Sequence, residues 1–145
     1  MRASTGFAVG LLTLCVAMAA NAQQTMTLGE MLDRGGRKLD KTEMRQLVPG
    51  ATMSGAQTGN TSTTFKNIYS AGGSVSGDAW SRGAWFTKVS GTWTINEAGQ
   101  LCQDLVNSQN SRFGACQNYY VLGSTYYTAG GDARSQPVNE RTITR

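Results

Sequence analysis

The chain reads as a mainly β protein of the α+β class: a compact antiparallel sheet or small barrel, preceded by two short helices and held by one disulfide. Three observations predict this. Period-two alternation of apolar and polar residues runs through most of the sequence after residue 50, broken by glycine turns. Two helix-capping signals thirteen residues apart precede it. Two cysteines, Cys102 and Cys116, flank a polar loop between alternating segments. With 18 Gly and only 2 Pro in 145 residues, many short strands joined by tight turns suit the composition better than long helices.

The first segment assigns a compartment. Arg2 is followed by an apolar run from Phe7 to Ala20 and the small-residue triplet Ala20-Asn21-Ala22 before Gln23, the pattern of a secretory signal peptide with an A-x-A cleavage site. The run is shorter than the roughly 20 residues that span a bilayer, and no charged flank follows it. Leu14 stands before Cys15 where a lipobox needs a small residue, so lipid attachment is not expected. The mature chain is therefore expected in the periplasm or secreted, cleaved near Ala22-Gln23, with no membrane span. Taking 22 residues from 145 leaves 123, one domain by length, able to bury roughly two-thirds of its unfolded surface. Export also leaves Cys102 and Cys116 as a pair in an oxidising compartment. A bond closing a loop of about 15 residues contributes about 3 kcal/mol in the chain-entropy model. Metal ligation suits them poorly, because the chain has 0 His and their spacing is not C-x-x-C.

The mature chain divides into an N-terminal helical segment (23–50), an antiparallel β domain (51–128) and a polar C-terminal tail (129–145). Thr27 with Glu30, and Asp40 with Glu43, form capping boxes in which side chain and backbone satisfy each other's orphan groups. Met26 with Met31, and Leu39 with Met44, have the spacing of hydrophobic staples. Met44, Leu47 and Val48 give the second helix its apolar face, and Pro49-Gly50 stops it. Gly35-Gly36-Arg37-Lys38 between the helices is a hinge without a phosphate-loop frame. Thr64 to Ser70 places Phe65 and Tyr69 on one face, Ala71-Gly72-Gly73 turns the chain, and Ser74 to Trp80 returns it. From Trp85 to Ile95 the alternation puts Trp85, Thr87, Val89, Gly91, Trp93 and Ile95 on one side, a core face. Asn96 to Gly99 is a hairpin connection, Leu101 to Val106 the returning strand, Asn107 to Gly114 a polar loop, and Ala115 to Leu122 a third strand that turns at Gly123-Ser124 into Thr125-Tyr126-Tyr127-Thr128. Cys102 and Cys116 then lie on consecutive strands, where a bond staples the hairpin. The last segment reads as a loose tail in which Arg141 to Arg145 has the alternation of an edge strand. Such strands can lie as an open sheet or close into a lipocalin-like barrel.

Pro49-Gly50-Ala51-Thr52-Met53-Ser54-Gly55, Tyr69 before a glycine turn, and Gly91-Thr92-Trp93-Thr94-Ile95 leading to Leu101-Cys102 and a second cysteine carry a resemblance. Over about residues 39–127 the chain resembles a family of small exported proteobacterial proteins known as domain of unknown function nine-nine-five. The resemblance implies a signal peptide and a compact antiparallel β domain, and it brings no activity or catalytic residues.

Chemistry is constrained mainly by exclusion. With 0 His there is no Ser-His-Asp or Cys-His arrangement and no imidazole metal site. No cofactor is implied. Once Arg2 leaves with the leader, 12 basic residues stand against 9 acidic ones, a net of +3 without the dense stripe that nucleic acid requires. Asp78, Glu97 and Asp104 are the carboxylates of the β region, and two of them converging about 5 to 10 Å apart would suit a sugar hydrolase. Trp85 and Trp93 are expected in the core. Tyr119, Tyr120, Tyr126 and Tyr127 alternate sides of their strands, so about half face outward, and with Arg82 and Arg112 in nearby polar loops they form the candidate surface for a ligand or partner. These features favour an exported, non-catalytic binding or accessory protein acting on a small ligand or an envelope protein. The alternatives are a carboxylate hydrolase of envelope polysaccharide, and an inhibitor of a secreted hydrolase presenting the Asn107 to Gly114 loop.

Overall fold

A computed structural model of the protein describes residues 25–145. The expected signal peptide and its cleavage site lie outside these residues.

Both helices begin at the capping boxes. In α1 (Leu28–Asp33) the Thr27 hydroxyl accepts from the Glu30 N–H at 3.2 Å and the Glu30 carboxylate accepts from the Thr27 N–H at 2.8 Å. In α2 (Lys41–Leu47) Asp40 and Glu43 repeat the exchange at 2.8 and 2.9 Å. Helices of one to two turns are unstable alone, so packing fixes both. Between them the expected hinge supplies β1 (Arg37–Lys38), a two-residue strand antiparallel to β7. Among the described residues no helix is long and apolar enough to cross a membrane.

After α2 the described residues form an eight-stranded barrel: β2 (Thr52–Gln57), β3 (Asn60–Tyr69), β4 (Ser74–Ser81), β5 (Ala84–Ile95), β6 (Leu101–Asn107), β7 (Arg112–Leu122), β8 (Thr125–Ala129) and β9 (Val138–Thr144). Each strand pairs antiparallel with the next, and β9 pairs with β2 to close the ring. This up-and-down topology is the one lipocalins use, and closure removes the exposed edges of an open sheet. Two inward-facing glycines permit the tight coiling. A Cβ on Gly77 would collide with the Lys66 carbonyl, and one on Gly91 with the Asp104 carbonyl.

The C-terminal segment departs from expectation. Residues 138–144 are neither a loose tail nor an edge strand: β9 lies between β2 and β8, and the division drawn at residue 129 falls inside β8. The register turns Asn139, Arg141 and Ile143 inward, so the buried side of β9 is mostly polar and lacks the hydrophobic alternation that marks a strand.

The staple forms as the spacing requires. Cys102 and Cys116 stand opposite each other on β6 and β7, with an S–S distance of 2.00 Å and Cα atoms 3.9 Å apart.

Trp85 does not join the core. Ala79 pairs with Thr87 and Trp80 with Trp85, which leaves Phe86 as an extra residue on β5. Such a bulge reverses the alternation beyond it. Trp85 consequently stands outside, 57% exposed, and its indole N–H donates to Asp78 Oδ1 at 3.0 Å. Trp93, on the other side of the bulge, is buried as expected, donates to the Ser70 carbonyl at 3.0 Å and meets Tyr69 edge-on with ring centroids 6.3 Å apart.

Apolar packing forms two clusters. Inside the barrel, Met53, Tyr69, Val75, Trp93 and Leu101 pack against Leu39, Met44 and Val48 from α2 and its flanks. Outside it, Leu28 and Met31 of α1 pack on Tyr120, Ala129 and Val138, covering the outer faces of β7, β8 and β9.

Candidate functional site: the open half of the barrel

The two ends of the barrel differ. Turns β3–β4, β5–β6 and β7–β8 lie at one end, where α2 closes it. There Gly99 of the β5–β6 turn abuts the Asp40–Lys41 backbone, Lys41 pairs with Glu97, and Arg145 donates to the Gln46 carbonyl. The β2–β3, β4–β5 and β6–β7 hairpins and the β8–β9 loop lie at the other end. There α1 docks on the β8–β9 loop, its Leu28 and Gly29 N–H groups donating to the Gln136 and Arg134 carbonyls at 2.8 Å, and lines none of the interior.

At that open end the barrel holds a cavity of about 430 Å³, within the roughly 300–1,000 Å³ of small-molecule sites. Alternation places its wall. Phe65 of β3, the bulged Phe86 of β5 and Phe113 of β7 bring three aromatic rings to the mouth, and Phe86 and Phe113 remain 52% and 44% exposed there. Asn67, Gln103 and Gln117 add neutral polar groups. Tyr119 lies fully buried beside them, its hydroxyl 3.5 Å from Met53 Sδ, and burial pushes its pKa well above the ordinary phenol value.

Among the described residues Arg141 is the one charged side chain of the wall. It is only 3% exposed. Nη1 donates to the Ala56 carbonyl at 2.8 Å and to the Glu140 carbonyl at 3.0 Å, and Nη2 donates to the Thr58 hydroxyl at 3.2 Å. Pairing of β2 with β3 shifts register between Ala56 and Gln57, and Arg141 takes up the carbonyl at that irregularity. The guanidinium also lies over the Phe65 ring, 5.1 Å from its centroid, a cation–π arrangement. Burial lowers its pKa, yet an arginine starts so high that it stays charged. No carboxylate lies within ion-pair distance of it: the ion pairs among the described residues are Arg37–Glu43, Lys41–Glu97, Lys88–Asp78, Arg112–Asp104 and Arg134–Asp33. Its Nε–H and the Asn67 Oδ1, both buried, have no hydrogen-bond partner among the described residues.

The candidate surface drawn from the sequence does not assemble. Arg82 is exposed in the β4–β5 hairpin and Arg112 at the start of β7, where it pairs outward with Asp104 at 2.7 Å, so both border the open rim. Tyr119 belongs to the cavity wall instead of the surface. Tyr120, on the opposite side of the same strand, is buried beneath α1. Tyr126 packs half-buried against the interior cluster, and Tyr127 half-buried against the α1 cluster. Tyr119 and Tyr120 are hidden because β7 is covered on both faces, by the barrel interior and by a helix that alternation within the strand does not reveal.

The carboxylates also stand apart. Asp78 and Asp104 both face outward, opposite Lys88 and Thr92 of β5 respectively, which separates them by about 15 Å at strand spacings. Glu97 sits in the turn at the sealed end. Each pairs with its own cation, none lines the cavity, and the two-carboxylate arrangement of a glycosidase is not formed.

Sequence reasoning missed Arg141, Asn67, Gln103 and Phe113. The signal was present in Asn139, Arg141 and Ile143 alternating with Glu140, Thr142 and Thr144, a strand whose inner side is polar because it faces a cavity. No family model, curated protein or solved structure matches the chain.

Proposed function

We propose that the chain is an exported, non-catalytic binding protein of the cell envelope whose barrel admits a small, largely apolar molecule at its open end. The observation that carries this reading is the cavity of about 430 Å³ walled by Phe65, Phe86 and Phe113 and floored by neutral polar groups. The sealed end, the α2 plug and the staple between β6 and β7 supply a rigid scaffold, which limits the ordering cost of binding. The hydrolase alternative loses support with its carboxylates dispersed. The inhibitor alternative loses support because the loop it needs shrinks to residues 108–111, held down by Asn107 Oδ1 accepting from the Gln109 and Ser111 N–H groups.

The test is a fluorescence titration with phenylnaphthylamine, a neutral aromatic probe, on the mature wild type and on Ala115→Trp. Ala115 lines the cavity and is exposed at its mouth, so the indole fills the opening while the sealed core is untouched. Saturable binding that Ala115→Trp weakens by about tenfold or more, about 1.4 kcal/mol, supports the reading. Absence of saturable binding, or binding indifferent to the substitution in a folded variant, overturns it.

A further inference from the structure

Resting on that ligand-binding role, we infer that the molecule the barrel selects is a monoanion: an apolar, preferably aromatic body against Phe65, Phe86 and Phe113, with a single carboxylate or sulfonate-like head on Arg141.

A guanidinium carries five N–H donors in a fixed fork. Ala56, Glu140 and Thr58 occupy three of them, which leaves the Nε–H and one hydrogen on Nη2. Those two nitrogens form one edge of the fork, and a planar oxyanion accepts from two parallel N–H groups. Besides these partners the guanidinium interacts with the neutral Tyr119 hydroxyl, and no carboxylate among the described residues competes for that edge. Every other group named on the wall is neutral, and every carboxylate in an ion pair is paired elsewhere. Backbone carbonyls hold the side chain in place before any ligand arrives, and the position over Phe65 joins the charged point to the aromatic mouth. One cation with two free donors matches one negative charge. A dianion would carry uncompensated charge into a cavity walled by aromatic rings and amides. Arg141 also braces the β2 irregularity, and that structural duty uses only the donors already occupied.

The experiment compares two probes that share a ring system. Anilinonaphthalenesulfonate carries a sulfonate and phenylnaphthylamine does not. Wild type is expected to bind the sulfonate at least about tenfold more tightly, and the preference is expected to persist at high salt, since a buried pair is poorly screened. Arg141→Met, close in length and uncharged, is expected to bring the ratio of the two affinities toward one. Arg82→Gln with Arg112→Gln, at the rim, is expected to leave the ratio as it was. Equal affinity of wild type for the two probes overturns the inference while the binding role stands. A preference abolished by salt or by the rim double variant also overturns it, by placing the attraction at the surface. A preference retained in Arg141→Met overturns it by reducing Arg141 to its bracing role. Failure of both probes to bind removes the binding role and the inference together. Should Arg141→Met not fold by circular dichroism, the wild-type preference and its salt dependence decide.

Discussion

The guanidinium of Arg141 lies 5.1 Å from the centroid of the Phe65 ring, within a barrel whose described ion pairs all involve other residues. Two strands bring the residues together: β3 turns Phe65 inward opposite Gly55 of β2, and β9, on the other edge of β2, turns Arg141 inward. Gly55 makes the approach possible, because a Cβ there would press on both the Glu140 carbonyl and the Arg141 guanidinium. A buried cation without a counter-charge is costly to fold around. Its retention at the wall of an open cavity is what distinguishes this interior from a filled core.

The staple across β6 and β7 should be a measurable share of stability. Replacing both Cys102 and Cys116 by Ala is expected to lower the unfolding free energy by about 3 kcal/mol, the chain-entropy value for a loop of this length, read from urea denaturation. An unchanged midpoint would show that turn geometry and the β6–β7 ladder set the hairpin without help.

The two tryptophans of β5 should behave oppositely. Trp93→Ala removes a buried ring and a hydrogen bond to the Ser70 carbonyl, and is expected to cost about 3–5 kcal/mol. Trp85→Ala removes an exposed ring bonded to Asp78, and is expected to stay within about 0.5 kcal/mol of wild type. Comparable losses from the two substitutions would contradict the bulge at Phe86.

Acid should loosen the α2 end first. The Arg37 guanidinium, with the Asp40 backbone N–H adding to it, holds the Glu43 carboxyl down to about 2 from an ordinary value of 4.5. Above the ordinary value Glu43 is ionised folded and unfolded, and its contribution to stability is complete. As pH falls below that value the unfolded chain takes up the proton first, so the contribution drains away until pH passes the folded value of about 2. Glu97, held below the usual carboxylate range by Lys41, follows the same sign. Urea midpoints at neutral pH and near pH 3 are expected to fall less in Glu43→Gln, which keeps the capping acceptor but does not titrate there. An identical fall in both proteins would contradict the assignment.

Much of this architecture is legible in the residues. Thr27 with Glu30 and Asp40 with Glu43 locate the start of both helices to the residue, because a capping box is a local exchange of hydrogen bonds that tertiary packing does not alter. Cys102 and Cys116 are legible because two strands and a short loop leave little freedom for their separation. What escapes depends on context. Trp85 is misplaced because one inserted residue, Phe86, reverses the alternation without changing composition. Tyr120 looks exposed from its strand alone, but α1, distant in sequence, covers it. Arg141 is missed because the usual rule places polar residues outside, and a barrel with an open interior inverts it for β9.

The central claim, that the open half of the barrel is the binding site, is tested most directly by backbone amide NMR of the protein saturated with phenylnaphthylamine. Shift changes are expected at Thr63, Phe65, Phe113 and Ala115, which line the cavity. Changes confined to Lys66, Ile68 and Ser76 on the outer groove of β3 and β4, with the cavity residues unmoved, would contradict the claim.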